Sequence, residues 1–112
     1  MVLARDLYLF SQVFPKDETY GLRGQLRRAA VSVPSNIAEG HGRLSDLGFR
    51  VFLGQARGSL CEVQTQVMLA ADLGYVQPIS ISPLLDECDE IARMINGLIA
   101  SLKKAPKKKA AR

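Results

Sequence analysis

The sequence predicts an all-α fold, an antiparallel up-down four-helix bundle over residues 1–102 whose second helix is kinked at Pro34. Three observations predict it. Apolar residues recur at helical spacing in four separate segments. Proline, glycine and serine stand at the boundaries between them, where helices stop and start. Hydrophobic residues make up 47% of the 112 residues while aromatics are only 6% and tryptophan is absent, so the core is built from Leu, Ile, Val and Ala. A chain of this length makes one domain, large enough for a core without disulfides or metals.

The first helix is short, roughly Val2 to Val13, with Leu3, Leu7, Phe10 and Phe14 on one side. Pro15 ends it, because proline disfavours helix at the residue before it. The second runs from about Glu18 to Gly42 and carries the stripe Tyr20, Leu22, Leu26, Ala29, Ala30, Val33, Ile37 and Ala38. Pro34 lies inside it and removes one backbone donor. The stripe stays in phase on both sides, which predicts a kink rather than a break.

The third helix extends from Ser45 or Asp46 to Leu73, with Ser45 as N-cap and Gly74 just past the C-terminus. Phe49, Phe52, Ala56, Val63, Val67 and Ala70 form its core stripe, with Leu53 and Leu60 as a second line beside them. Gly54 and Gly58 are read as packing residues that let helices approach closely. A connector with Pro78 leads to the fourth helix, capped by Ser82 with Pro83 at its first position. There Leu84, Cys88, Ile91, Ile95, Leu98 and Leu102 step by alternating fours and threes, a heptad seam. Leu85, Ala92 and Ile99 flank it at intervals of seven.

Helices three and four are thus more apolar than one bundle face requires, which is about three-sevenths of the surface. Burial against a second copy would use the excess. Leu53, Leu60, Leu85, Ala92 and Ile99 are the candidate interface residues; the competing reading is a broad core face on a monomer.

The formal net charge of +4 is unevenly spread. Six basic residues fall in the last ten positions, which lack any apolar side chain larger than Ala and are expected to form a disordered basic tail, 103–112. Without them nine basic residues face eleven acidic ones. Residues 1–60 hold eight Arg or Lys against five acids, and residues 61–102 hold Arg93 alone against six.

Little here points to catalysis. His41 is the only histidine, set between Gly40 and Gly42, where a turn or capping role is the plainer reading. One histidine cannot furnish the paired Glu-x-x-His ligands of a di-metal bundle, and no strand precedes the glycines to make a phosphate loop. Catalytic, cofactor and metal sites are therefore expected to be absent. Cys61 and Cys88 read as reduced thiols without metal-ligand spacing. No apolar run reaches the roughly twenty residues a membrane helix needs, and a cytoplasmic location is expected.

A nucleic-acid surface has somewhat more support. Arg43, Arg50 and Arg57 recur every seven residues, and Arg23, Arg27 and Arg28 form a second group. If the two faces adjoin they make a groove for phosphates, with Lys107, Lys108 and Lys109 adding to it from the tail. The plainer alternative is ion pairing within the fold, with Glu39 and Glu62 as partners and Glu62 reaching another helix.

Two longer runs carry a family resemblance. Residues 14–18, Phe14-Pro15-Lys16-Asp17-Glu18, lead through Tyr20-Gly21-Leu22 to Gln25-Leu26-Arg27-Arg28-Ala29-Ala30-Val31-Ser32-Val33-Pro34-Ser35-Asn36-Ile37-Ala38-Glu39-Gly40. Phe52-Leu53, Ala56-Arg57-Gly58-Ser59-Leu60, Glu62, Gln66 and Leu73-Gly74-Tyr75 follow. Together they resemble the four-helix-bundle proteins encoded in intervening sequences of bacterial large-subunit ribosomal RNA genes, related to the accessory variability determinant proteins of diversity-generating retroelements. The resemblance implies a ring-forming up-down bundle, five subunits being the number implied, and a possible partner in RNA, DNA or a nucleic-acid enzyme. It also matches Arg27, Arg28 and Arg57 to motif positions, in binding or in packing. Most relatives have no established activity. They usually begin with a longer, tryptophan-bearing first helix; this chain lacks tryptophan and starts a turn or two later, so its first helix is expected to be short.

Overall fold

The computed structural model describes the backbone of residues 2–110 and the side chains of residues 2–103. Four α-helices follow one another: α1 (Val2–Ser11), α2 (Leu22–His41), α3 (Asp46–Asp72) and α4 (Ser82–Ala110). Single 3₁₀ turns, Lys16–Glu18 and Pro78–Ser80, stand in the first and last connections. Helix α1 packs on α2 and α4, and α3 packs on the same two, so α1 and α3 occupy diagonal corners of an up-down bundle. At about 1.5 Å of rise per residue, the ten residues of α1 line only a fraction of the length that the 27 residues of α3 provide.

The core is aliphatic throughout. Leu3 and Leu7 of α1, Leu26 and Val33 of α2, Leu53, Leu60, Val63 and Val67 of α3, and Leu84, Cys88 and Ile95 of α4 are all buried. Burial pushes the Cys88 thiol up to about 11, with the charges of Glu87 and Asp89 adding to the shift. Small residues set the closest approach, between α2 and α3. Ala29 and Ala30 are buried against α3, and Gly40 sits so close to it that a Cβ there would lie 2.7 Å from Phe52 Cβ. Along the same contact Ser32 Oγ and Ser59 Oγ share a hydrogen bond of 2.8 Å, and Asn36 Nδ2 donates to Ser32 O at 2.9 Å.

Local chemistry explains most boundaries. Ser45 Oγ accepts from Gly48 N at 3.0 Å and starts α3, as its position predicts. Gly74 ends that helix with a φ of +78°, a left-handed geometry that glycine adopts without steric penalty. Helix α2 begins at Leu22 rather than near Glu18, because Glu18 is used as a cap: its Oε1 accepts from Leu22 N at 2.9 Å. The first backbone bond of α4 runs from Leu85 N to Ile81 O, which shifts the capping position from Ser82 to Ile81.

The kink expected at Pro34 is corrected. Helix α2 runs as one α-helix from Leu22 to His41 with Pro34 inside it, and the proline kink belongs to the fourth helix instead. Side chains before and after Pro34, from Ala29 to Gly40, are seated on α3, and this packing outweighs one missing hydrogen bond. The backbone of α4 continues to Ala110, so no helix end marks the boundary expected at residue 102. The disordered tail, 103–112, with Lys107, Lys108 and Lys109, lies almost wholly outside the described side chains.

Candidate functional site

The arginines show first what the surface does. Arg23 and Arg27 do not face solvent as a phosphate groove requires. They fold over the C-terminal end of α1: Arg23 Nε donates to Ser11 O at 3.1 Å, and its Nη2 donates to Phe14 O. Arg27 Nε donates to Ser11 Oγ at 2.8 Å and its Nη2 to Tyr8 O at 3.2 Å, with the guanidinium over the Tyr8 ring. The last carbonyls of a helix have no partners within it and carry the negative end of its dipole. Two guanidinium groups satisfy both demands at once.

The other arginines are mostly occupied as well. Arg28 of α2 pairs with Glu62 of α3 at 3.7 Å, and Arg43 pairs with Glu39 at 3.1 Å while lying over the Phe52 ring. Both acids are the partners the sequence offers. Arg57 Nη1 donates to Asn96 Oδ1 of α4 at 2.8 Å. Arg50 differs: its Nε is shielded from solvent and has no hydrogen-bond partner. The six arginines are thus distributed over three contacts between elements and one within the α2–α3 corner, and do not converge on one open groove.

At one end of the bundle, Tyr75 Oη donates to Glu18 Oε2 at 2.5 Å, tying the first connection to the third. The Tyr75 hydroxyl, followed by Leu22 N–H, holds the Glu18 carboxyl below its usual range; the same bond raises the Tyr75 phenol. A carboxyl lowered in the folded state contributes stability above its ordinary range and loses it as pH falls through the folded value. A raised phenol contributes below about pH 10 and loses that contribution as pH rises through its folded value. The tie therefore strengthens the fold across the neutral range.

A hollow of about 500 Å³ lies at the α2–α3 corner, lined by Ser35, Ala38, Glu39, Gly42 and Arg43. His41 is not part of its lining; the imidazole instead meets the Phe49 ring edge-on at 5.8 Å. The Glu39 carboxylate there is already engaged by Arg43. Among the described residues no group of three or more His, Cys, Asp or Glu is placed to hold a metal ion. Among them, too, no helix is long and apolar enough to cross a membrane.

The unexplained feature is the outward face of α3. Opposite its core stripe, Leu47, Val51, Gly54, Gly58, Cys61, Thr65 and Leu69 succeed one another at helical spacing, a face pointing away from the bundle. Leu47, Val51 and Leu69 are exposed, and a Cβ added at Gly54 or Gly58 would meet nothing within 4 Å. No Lys, Arg, Asp or Glu stands among these seven positions, on the side of a helix where a monomer carries its charges.

The interface residues expected from the sequence lie elsewhere, and this is a correction. Leu53 and Leu60 are 0% and 1% exposed, spent in the chain's own core. Leu85, Ala92 and Ile99 are half-buried and packed against that same core. Gly54 and Gly58, read as intramolecular packing residues, face outward; Gly40 has that role instead. The interval of seven through Leu47, Gly54, Cys61 and Met68 was the available signal, masked because glycine and cysteine contribute little to an apolar stripe.

A second apolar feature lies at α1's corner. Ile37, Leu53, Ile91, Met94, Ile95 and Leu98 line a groove of about 250 Å³ among α2, α3 and α4. Helix α1 lies between α2 and α4 as well, against their N-terminal portions, where Arg23 and Arg27 hold it. The groove continues its corner past that short helix, leaving Met94 and Leu98 exposed.

Comparison with known families agrees with the long motif in residues 14–75. A family model described as 23S rRNA-intervening sequence protein matches residues 1–97. No curated protein matches the chain.

Proposed function

We propose that this chain, which belongs to the 23S rRNA-intervening sequence protein family, acts as a non-enzymatic, self-associating bundle whose working form is a homo-oligomer. The observation that carries this reading is the outward face of α3, uncharged through seven successive surface positions from Leu47 to Leu69. Extended exposed apolar patches of this kind mark interaction surfaces in soluble proteins. The bare backbone at Gly54 and Gly58 permits a second helix to approach closely. A ring of five copies is the assembly that the family resemblance implies. In this reading the arginines hold the fold together and the assembly, rather than a reaction, is the product.

A second reading retains RNA or DNA, or a nucleic-acid enzyme, as a partner. Its support is that the side chains of Arg28 and Arg43 are 64% and 49% exposed within their ion pairs, open to exchange of carboxylate for phosphate. Such contacts weaken steeply with salt.

Light scattering with and without RNA, at low and high salt, tests both. The expected result is a particle several times the single-chain mass under all four conditions. A single-chain mass throughout overturns self-association. A mass that rises on adding RNA at low salt and falls back at high salt favours the second reading.

A further inference from the structure

We infer that the α1 corner groove is the receptor for the start of α3 of a second copy, making a head-to-tail contact. The inference rests on the self-association proposed above and assigns its two surfaces.

Ridge and groove match in chemistry and size. The groove is lined by six apolar side chains, and nothing polar in it needs a hydrogen-bond partner. Its occupant must therefore be apolar. Around the second corner the chain offers Leu44, fully exposed in the turn, followed by Leu47 and Val51 on the first turns of α3. Their spacing of three and four is that of an amphipathic helix anchoring in a groove. From Leu44 to Val51 is about two helical turns, or roughly 10 Å. The groove spans Ile91 to Leu98 of α4, the same number of residues.

Charge favours the same pairing. Glu87 and Glu90 precede Met94 by seven and four residues and so lie along its side of α4. The Glu87 carboxyl is pushed up, first by burial and then by its hydrogen bond with Asp6, with the negative charges of Asp6 and Glu90 adding to it. This edge of the groove is crowded with negative charge and lacks a cation. Beside the ridge stands Arg50, three residues past Leu47, with its Nε unpartnered. Docking brings a basic flank to an acidic edge.

Because α1 and α3 stand at diagonal corners, ridge and groove lie on opposite sides of one chain. Each copy then gives a ridge to one neighbour and a groove to another. Such a contact is heterologous and closes into a ring or grows as a filament, unlike a two-fold dimer in which both copies use the same patch.

Complementation tests this. Leu47→Asp removes the ridge and keeps the groove; Met94→Asp does the reverse. Both positions are exposed, so helicity by circular dichroism is expected to match the parent chain; Val51→Asp and Leu98→Asp serve as alternates if it does not. Each variant alone should sediment at single-chain mass. Mixed in equal amounts they should form a two-chain particle and nothing larger, because only one intact ridge and one intact groove remain per pair. Retention of the parent mass by either variant, or a mixture that stays single-chain, overturns the assignment. A parent chain that is itself monomeric overturns the self-association reading on which it rests, so the two failures are distinguishable.

Discussion

Replacing Arg23 and Arg27 together with Ala is expected to release α1 from the bundle and to cost about 3–5 kcal/mol. The two side chains donate hydrogen bonds to Ser11 O, Phe14 O, Ser11 Oγ and Tyr8 O, all at or beyond the end of a ten-residue helix. Hydrogen bonds from charged donors contribute roughly 1.5–3 kcal/mol each, and neighbouring ones are not additive. An isolated helix of ten residues is marginal in water, so α1 depends on this clamp and on Leu3 and Leu7. Hydrogen exchange checks it: α1 amides should lose protection while those of α2 and α3 keep theirs. If instead RNA binding is lost with α1 fully protected, the two arginines are surface contacts and the clamp is secondary.

The second large effect is expected at Gly40. Gly40→Val places a branched side chain where a single Cβ would already lie 2.7 Å from Phe52 Cβ and 3.0 Å from the Phe49 ring. Overpacking of this kind costs about 1–3 kcal/mol, and here the upper end applies because the neighbours are rigid and belong to the closest contact in the bundle. Gly97→Ala provides the opposite sign. Its Cβ meets nothing within 4 Å, and removing glycine from a helix stabilises by about 1 kcal/mol. Urea midpoints at unchanged slope measure both.

Much of the fold was legible because its signals are local. Ser45, Gly74 and the alternating steps of Leu84, Cys88 and Ile95 act through neighbours in sequence or on one helix face, and the structure uses them as read. Pro34 misled because packing on α3, a tertiary effect, decides whether a missing hydrogen bond bends α2. The arginines were less legible still. Spacing places Arg23 and Arg27 on a helix face but says nothing of the α1 carbonyls that fold back onto them, 9 to 19 residues earlier in the chain. Glu62 was readable as an inter-helix partner, yet only the packing of α2 on α3 selects Arg28 for it. The outward face of α3 escaped for a different reason. Its length is visible only once Leu53 and Leu60 are assigned to the core and the glycines are seen to face away from it.

Cys61 reports on that face most directly, since it lies one turn past Gly58 and is exposed on the single chain, while Cys88 is buried with its thiol raised to about 11. The measurement is the rate of thiol modification at a concentration where light scattering shows the assembled particle. The account predicts that Cys61 is protected there and reacts at the rate of a free thiol in the Leu47→Asp chain, with Cys88 silent in both. A Cys61 that reacts at the free-thiol rate within the assembled particle would contradict it, because the outward face of α3 would then be open to solvent in the oligomer.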